Sequence, residues 1–403
     1  MSKHSDTAAR EAENPKWSSR PIINWLLTDG RFCGDLETLT TRLGAVLEAG
    51  GAPVWRLRLS IRTLHPLITA KSAIWQKDRD ETEKITAPHG LEKRPSYAGS
   101  PLLVINETRA PFRRSLEEDL THDDHLVLHE IKAEGGTDYY GLPLLFSDEK
   151  TASVIFTTDR AGGFVERDLR HFRWITDVLA PVVEVYKERE IAMAIAEAYL
   201  GHRTGQLVLE GNIIRGDVET LDAAIFISDI RNWTGLSQRL PPHDMINLAN
   251  AYFDVIVDAV ENHGGEILKF IGDGVLAIFP VSETNTDMQA CKSAVRAAQS
   301  AVKRAMAARD ANQMTSDLEF GIGIHFGEVL YGNVGSATRL DFTVLGGAIN
   351  LAARIEGLCD SLEHTVLISS SINERLENPA PQIAEQTLKG FETAVPVFAP
   401  SLE

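Results

Sequence analysis

Two aspartates occur where the sequence predicts that a strand ends or turns. Asp229 follows the apolar run Ala223–Ile227, which predicts a short buried strand, and Asp273 lies at the Gly-Asp-Gly turn of a hairpin predicted over Glu266–Phe279. If the fold brings the two carboxylates together, they repel each other, and divalent cations such as Mg²⁺ relieve that repulsion. Two ions can then activate an attacking hydroxyl and neutralise a phosphate leaving group. Taken singly, each aspartate also fits an ordinary role, as a helix N-cap or a turn residue.

Other polar residues lie where they can contact a phosphorylated substrate. Thr234 stands near the start of a helix predicted after Asp229, where backbone N–H groups attract anions. Asn350 and Arg354 are four residues apart on a predicted helix and therefore share one face. Such a pair can hold a ribose and a phosphate, and the arginine can stabilise charge that develops during phosphoryl chemistry. The alternative is a polar residue at a helix start and a solvated arginine.

The run Gly321–Gly335 is dense in glycine. It lacks the Gly-Lys-Ser/Thr ending of a P-loop, and its glycine spacing differs from that of the dinucleotide-binding fingerprint. We therefore expect these glycines to allow close backbone packing and tight turns.

Composition limits the classes of function. The chain has 403 residues and a formal net charge of −17, which argues against general nucleic-acid binding. Its three cysteines are scattered and suggest neither disulfides nor a zinc site. The N-terminus has no signal-peptide pattern and no stretch reaches the roughly 20 apolar residues of a membrane span, so we expect a cytoplasmic protein with no transmembrane segment.

The patterns divide the chain into a flexible N-terminus (1–20), a first domain (21–187), a helical linker (188–220) and a second domain (221–403). The resemblances given below imply a sensory or regulatory role for the first domain, a transducer element in the linker and a catalytic role for the second domain. In the first domain the patterns predict a helix over Asp35–Gly50, a strand over Val54–Leu64, a loop over 76–100, strands over Asp138–Phe146 and Ala152–Thr158, and a helix over Asp168–Tyr186. In the second domain they predict helices over Pro242–Asn262, Asp287–Arg309 and Ala348–Cys359, and strands over Leu318–Phe326, Val366–Ser369 and, at a sheet edge, Val395–Phe398. The fold class is α/β (α+β).

The order of elements over residues 20 to 187, with Gly136-Thr137-Asp138-Tyr139 and Gly162-Gly163-Phe164, resembles a GAF-like sensor domain. An unclassified α+β domain is the alternative. The helix-favouring run from Val182 to Gly201 can pair with its copy in a dimer, with Val182, Val185, Ile191 and Ile195 as candidate contacts, or pack on its own domain. The sequence does not identify the small molecule or signal that such a sensor recognises.

Residues 223 to 398 resemble a class III nucleotidyl cyclase domain, which implies a ferredoxin-like βαββαβ fold. The resemblance rests on five motifs that occur together and in order: FISDIRNWT, LKFIGDGVLAIF, GIGIHFGEVLYGNVG, DFTVLGGAINLAARIEG and LKGFETAVPVF. The segment from Tyr199 to Thr220 also resembles the transducer element that precedes many of these domains. Trp233 stands where phenylalanine is commoner, a change that we expect to alter packing only.

The resemblance assigns roles to individual residues. It implies that Asp229, Asp273 and the backbone carbonyl of Ile230 bind two Mg²⁺ or Mn²⁺ ions. It implies that Lys269 and Thr343 contact the purine, with threonine marking a bacterial-type subclass. It implies that Asn350 orients the ribose, that Arg354 stabilises the transition state, and that Lys389 contacts phosphate.

The implied activity is that of an adenylate cyclase, which converts ATP to 3′,5′-cyclic AMP and pyrophosphate. Because family members build each site from two subunits and this chain carries both residue sets, the resemblance implies a head-to-tail homodimer. Guanylate cyclases generally carry glutamate at the Lys269 position, so ATP is favoured over GTP. A guanylate cyclase and a catalytically silent nucleotide-binding dimer remain alternatives, whereas a diguanylate cyclase would need a hairpin motif that His263-Gly-Gly-Glu-Ile lacks.

Overall fold

A computed structural model of the protein describes residues 17–91, 94, 97–310, 318–391 and 393–402. The chain divides between residues 195 and 196 into two compact units. Most of the predicted flexible N-terminus, residues 1–16, lies outside the described residues, and the first described helix begins at Ser19.

The first unit is built on a six-stranded antiparallel sheet in the order β3-β2-β1-β6-β5-β4. Its strands are β1 (Arg56–Arg62), β2 (Ile68–Gln76), β3 (Glu83–Pro88), β4 (Phe112–Ser115), β5 (Asp138–Leu145) and β6 (Thr151–Thr158). Its helices are α1 (Ser19–Thr28), α2 (Leu36–Ala49), α3 (Pro101–Thr108), α4 (Leu126–Ala133) and most of α5 (Glu166–Leu200), which continues past residue 195.

The alternating sequence of β1 gives the sheet two different faces. Leu57, Leu59 and Ile61 are buried in a core with residues of α1, α2 and α5. Arg56, Arg58 and Ser60 point to the opposite face, because successive strand residues alternate in direction. Beyond them, residues of α4 and β5 form a second, smaller apolar cluster.

Two predictions for this unit were wrong in part. The expected loop over 76–100 contains the strand β3. This strand carries charged residues and pairs with β2 at the edge of the sheet. The predicted helix Asp168–Tyr186 is confirmed and continues through the following helix-favouring run as one 35-residue helix, α5. The candidate dimer contacts on this run were wrong in part. Val182 is buried in the core of the first unit whereas Val185 is 68% exposed, so Val182 cannot be a dimer contact.

The second unit contains a sheet in the order β13-β14-β12-β10-β7-β9-β8, with β11 paired to β10. Its strands are β7 (Val218–Ile230), β8 (Glu266–Ile271), β9 (Gly274–Pro280), β10 (Phe320–Gly335), β11 (Leu340–Leu345), β12 (Val366–Ser369), β13 (Gln382–Gln386) and β14 (Val395–Phe398). Its helices are α6 (His202–Leu209), α7 (Trp233–Arg239), α8 (Pro242–Glu261), α9 (Asp287–Asp310), α10 (Gly347–Glu356) and α11 (Ser370–Asn373).

The centre of this unit has the predicted ferredoxin-like βαββαβ arrangement. Strands β7, β8, β9 and β10 alternate with α8 and α9 along the chain, and lie in the order β8-β9-β7-β10. Residues of α8 and α9, including Tyr252 and Ile256, pack on one face of the sheet. Ala352 of α10 packs on the other face with Ile225 and Leu276.

Several elements here are longer than predicted. The expected short strand Ala223–Ile227 is the 13-residue β7, and the whole glycine-dense run is part of the 16-residue β10. Strand β11 was not predicted, and it extends the sheet by pairing with the second half of β10. Strand β14 is not an edge strand, since it pairs with both β12 and β13.

Candidate active site

Asp229 and Asp273 lie side by side at one end of the sheet. Asp229 is next to the last residue of β7, where its register partners are Gly274 on β9 and Gly321 on β10. Asp273 occupies the two-residue turn between β8 and β9, immediately before Gly274. The two carboxyl groups are within hydrogen-bonding reach of each other. The expectation that the fold brings them together is therefore met.

The environment of Asp229 opposes its negative charge. Burial raises the pKa of Asp229 well above its usual value, and the neighbouring Asp273 raises it further. The backbone N–H of Ile230 acts in the other direction, because it donates to Oδ1 of Asp229 at 3.1 Å. A cation between the carboxylates would remove this penalty.

A third carboxylate, which the sequence analysis did not single out, approaches the pair from α10. Burial, followed by the charge of Asp229, raises the pKa of Glu356 to about 7. Gly321 makes this approach possible, because a β-carbon there would lie 2.5 Å from Oε1 of Glu356. The predicted role of Gly321 in close packing is confirmed. In the sequence, this glycine was the feature that could have indicated a neighbour such as Glu356.

A buried hydrogen-bonded chain lies directly behind Asp229. The phenol of Tyr252 on α8 donates to Oγ of Ser228 at 2.8 Å, and Ser228 donates to the backbone carbonyl of Gly321 at 2.8 Å. Both side chains are fully buried. These bonds fasten the end of β7 to α8 and β10 and so restrict the position of Asp229.

Lys269 and Thr343 belong to a second group of residues, on β8 and β11. The ammonium group of Lys269 lies 3.9 Å from a carboxylate oxygen of Asp341, two residues before Thr343. Thr343 is 5% exposed, and its hydroxyl has no hydrogen-bond partner within the part of the chain that the structure describes. Asp341 was missed by the sequence analysis, although its position on the same face of β11 as Thr343 signals it.

The remaining predicted residues are placed as follows. Asn350 and Arg354 share an exposed face of α10 and make no side-chain hydrogen bond or ion pair with other described residues. Thr234 is exposed in the first turn of α7, which has only seven residues. The side chain of Ile230 is 4% exposed. Lys389 is exposed in the connection between β13 and β14, with no ion pair to the described residues.

The chemistry of the carboxylate pair fits a magnesium-type ion. No group of three or more His, Cys, Asp or Glu side chains with the spacing of a metal cage occurs among the described residues. Mg²⁺ does not need such a cage, since one or two carboxylates bind it together with water and substrate phosphates. Asp229 and Asp273 provide two carboxylates whose mutual repulsion a divalent cation would relieve.

The second unit is similar to known nucleotide cyclases. Residues 218–393 match the family described as "Adenylate and Guanylate cyclase catalytic domain". The chain is 33% identical over 196 residues to "Adenylate cyclase, terminal-differentiation specific" of Dictyostelium discoideum, covering 46% of this chain and 9% of that protein. It is 34% identical over 174 residues to "Adenylate cyclase" of Anabaena cylindrica, covering 42% of this chain and 33% of that protein.

Among solved structures, the adenylyl cyclase CyaB from P. aeruginosa is 29% identical, with a TM-score of 0.42, covering 45% of this chain and 94% of that one. The match to the adenylate and guanylate cyclase catalytic domain thus falls within the second unit of this chain. The chain spans at most about a third of the length of the two curated relatives described here. None of the described helices has the length and apolar character of a membrane span.

Proposed function

We propose that the protein is an adenylate cyclase that converts ATP to 3′,5′-cyclic AMP and pyrophosphate. The observation that carries this proposal is the pairing of Asp229 with Asp273 inside a domain of the cyclase family. Lys269 favours ATP over GTP, because an ammonium group can donate to N1 of adenine, whereas N1 of guanine is itself a donor. Relatives that carry the name adenylate cyclase support the same choice.

In this proposal Asp229, Asp273 and the carbonyl of Ile230 hold two Mg²⁺ or Mn²⁺ ions. When bound, such ions lower the pKa of the ribose 3′-hydroxyl and neutralise charge on the triphosphate. The chain's own residues bind and orient the substrate. Lys269 and Thr343 contact the adenine, and the unpartnered hydroxyl of Thr343 supports this role because a buried hydroxyl without a hydrogen bond is unfavourable.

The exposed residues have roles toward the ribose and the phosphates. Asn350 orients the ribose so that its 3′-hydroxyl is in line with the α-phosphorus, and Arg354 stabilises the charge that develops there. Thr234 and Lys389 contact the β- and γ-phosphates. These four assignments rest on the family motifs and on the exposure of the side chains.

We propose further that two copies of the chain complete each site. Asn350 and Arg354 make no hydrogen bond or ion pair with the aspartates of their own chain among the described residues. A head-to-tail homodimer would place them against the aspartates of the second copy and would create two equal sites. The N-terminal domain, proposed as GAF-like over 21–187, would regulate this assembly through the linker and transducer element over 188–220.

The test is cyclic nucleotide production by the purified full chain, with ATP or GTP and with Mg²⁺ or Mn²⁺, beside an Asp273→Ala variant. Cyclic AMP from ATP, lost in the variant, is the expected result. Faster production of cyclic GMP from GTP than of cyclic AMP from ATP would favour the guanylate cyclase alternative. No product from either nucleotide, with ATP binding retained in a calorimetric titration, would favour a silent nucleotide-binding dimer.

A further inference from the structure

The first unit contains a cavity of about 230 Å³ between the sheet and the helices α3 and α4. Its floor is the face of β1 that carries Arg56, Arg58 and Ser60. Its walls are mostly apolar, with Ile85, Leu102, Val127, Ile131 and Ile155 among the lining residues. The cavity therefore combines a basic floor with apolar walls.

Arg58 has only neutral partners in this cavity. Its Nε donates to Oγ of Ser60 and its Nη2 donates to Oγ of Ser72, both at 3.0 Å. The two serine hydroxyls also bond to each other at 2.7 Å. No described carboxylate forms an ion pair with Arg58, although guanidinium groups inside proteins are normally paired with acids.

Arg56, two residues earlier on the same face, repeats this pattern. Its Nε is buried and has no hydrogen-bond partner in the described part of the chain. The carboxylates that act on it from a distance are Glu134 and Glu83. Glu134 forms its ion pair with Arg79 instead, at 3.3 Å. Burial lowers the pKa of both Arg56 and Arg58, as expected for cations without an opposing charge.

We infer that this cavity binds a small organic carboxylate, with the carboxylate on Arg58 and Arg56 and an apolar body against Ile131 and Ile155. A guanidinium fork matches a planar carboxylate, and burial makes such a charged hydrogen bond strong. A cavity of about 150 Å³ is enough to hold benzene, so this one has room for a single ring or a branched chain with its carboxylate. The site lies in the first unit and is separate from the proposed cyclase chemistry.

The test uses the full chain and three probes that each carry one phenyl ring: phenylacetate, the neutral phenylacetamide and phenyl phosphate. Binding is measured by calorimetry and by the shift in melting temperature. We expect phenylacetate to bind and to stabilise the protein, and phenylacetamide to bind at least about tenfold more weakly because it has no charge for the guanidinium groups. Benzoate and 4-methylpentanoate extend the panel to a shorter and a non-aromatic body.

Arg58→Met is the diagnostic variant. It should lose at least about tenfold in affinity for the carboxylate. Without ligand it should be as stable as the wild type or more stable, since it removes a buried charge that lacks an acid partner. Arg20→Met, which removes an exposed arginine of α1 that does not line the cavity, is the matched control and should bind like the wild type.

Three results would overturn the inference. One is the absence of binding by every carboxylate of the panel at about 10 mM, a concentration that would reveal even millimolar affinity. Another is equal affinity in the wild type and in Arg58→Met. The third is tighter binding of phenyl phosphate than of any carboxylate, which would assign the site to a phosphate ester. Because the readout is binding, these outcomes are independent of cyclase activity.

Discussion

The phenol of Tyr331 contacts both carboxylate oxygens of Glu266, at 2.9 and 3.1 Å. Glu266 is the first residue of β8, the strand that carries Lys269 and leads to the Asp273 turn. Thr204 of α6 also donates to Glu266, at 3.1 Å, so one buried carboxylate joins α6, β8 and β10. The start of β8 is thus fixed by hydrogen bonds rather than by apolar packing alone.

Tyr331→Phe should therefore lower the free energy of unfolding by about 1–3 kcal/mol, because it removes a donor from a buried carboxylate. Urea denaturation of the full chain measures the change. Tyr199→Phe is the matched control, since Tyr199 is 83% exposed, and it should leave the stability unchanged. A Tyr331→Phe protein as stable as the control would show that Glu266 does not depend on this bond.

Divalent cations should stabilise the wild-type protein through the Asp229–Asp273 pair. The two carboxylates repel each other, and an ion between them turns that repulsion into attraction. We expect Mn²⁺ to raise the melting temperature of the wild type near pH 8 and EDTA to reverse the increase. Asp273→Asn should abolish most of the response, whereas Asp222→Asn, at an exposed position of β7, should retain it. Equal metal responses in both variants would place the cation elsewhere.

Acid should destabilise the second unit through His325. Burial lowers the pKa of His325 to about 4, and its Nδ1 lies 2.9 Å from Oγ of Ser369. The unfolded chain takes up a proton at the ordinary histidine pKa near 6.5, whereas the folded state resists it until about pH 4. Stability is therefore fully present above about pH 6.5 and is lost as the pH falls toward 4.

For this reason, the loss of stability between pH 7 and pH 4.5 should be about 2–3 kcal/mol smaller in His325→Gln than in the wild type. Urea denaturation at the two pH values gives the difference. His122→Gln serves as the control because the side chain of His122 is 92% exposed. An unchanged pH dependence in His325→Gln would mean that other groups cause the acid sensitivity.

Lys269 should matter far more to ATP turnover than its partner Asp341. Lys269→Ala removes the proposed charged donor to the base and should lower kcat/KM for ATP by about 10–150-fold. Asp341→Asn should change it less than about threefold, because the two groups are 3.9 Å apart and the Asp341 side chain is 54% exposed. Initial rates with ATP compare the variants. Similar losses in both would make the ion pair itself, rather than the ammonium group, the functional feature.

Mixing two inactive variants tests the proposed dimer. Asp273→Ala and Arg354→Ala should each abolish activity, but a head-to-tail dimer of one copy of each contains one intact site. With random pairing, an equimolar mixture should recover about a quarter of the wild-type activity. A mixture of Asp273→Ala with Asp229→Ala should recover none, because both changes affect the same half of the site. No recovery in either mixture would indicate that each chain builds its own site.

Local patterns predicted that Asp229 lies at a strand end and Asp273 in a hairpin turn, and the family resemblance implied that the two lie together. An aspartate after an apolar strand and another in a Gly-Asp-Gly turn occupy positions that local patterns define, and the hairpin brings them to one sheet end. Helices α8 and α9 were also predicted to within a few residues, since their apolar periodicity is strong.

Other features depend on contacts between distant segments and left no local pattern. Glu356 approaches Asp229 only because Gly321 leaves room for it, a relationship across 35 positions of sequence. Strand β11 was not recognised because its sequence is short and its partner, the second half of β10, is rich in glycine. The basic floor of the cavity in the first unit belonged to a strand predicted only as half-buried.

Gly321 and Gly323 have a consequence for how catalysis could be controlled. A methyl group at Gly323 would collide with the backbone of Glu356, so α10 rests on β10 with no intervening side chains. This close backbone contact restricts sliding of α10, the helix that carries Asn350 and Arg354, over the strand next to Asp229. In the proposed dimer, a change in how one copy docks on the other would then move one residue set relative to the other. A regulator would then act by changing how the two copies are aligned, without changing the structure of either copy.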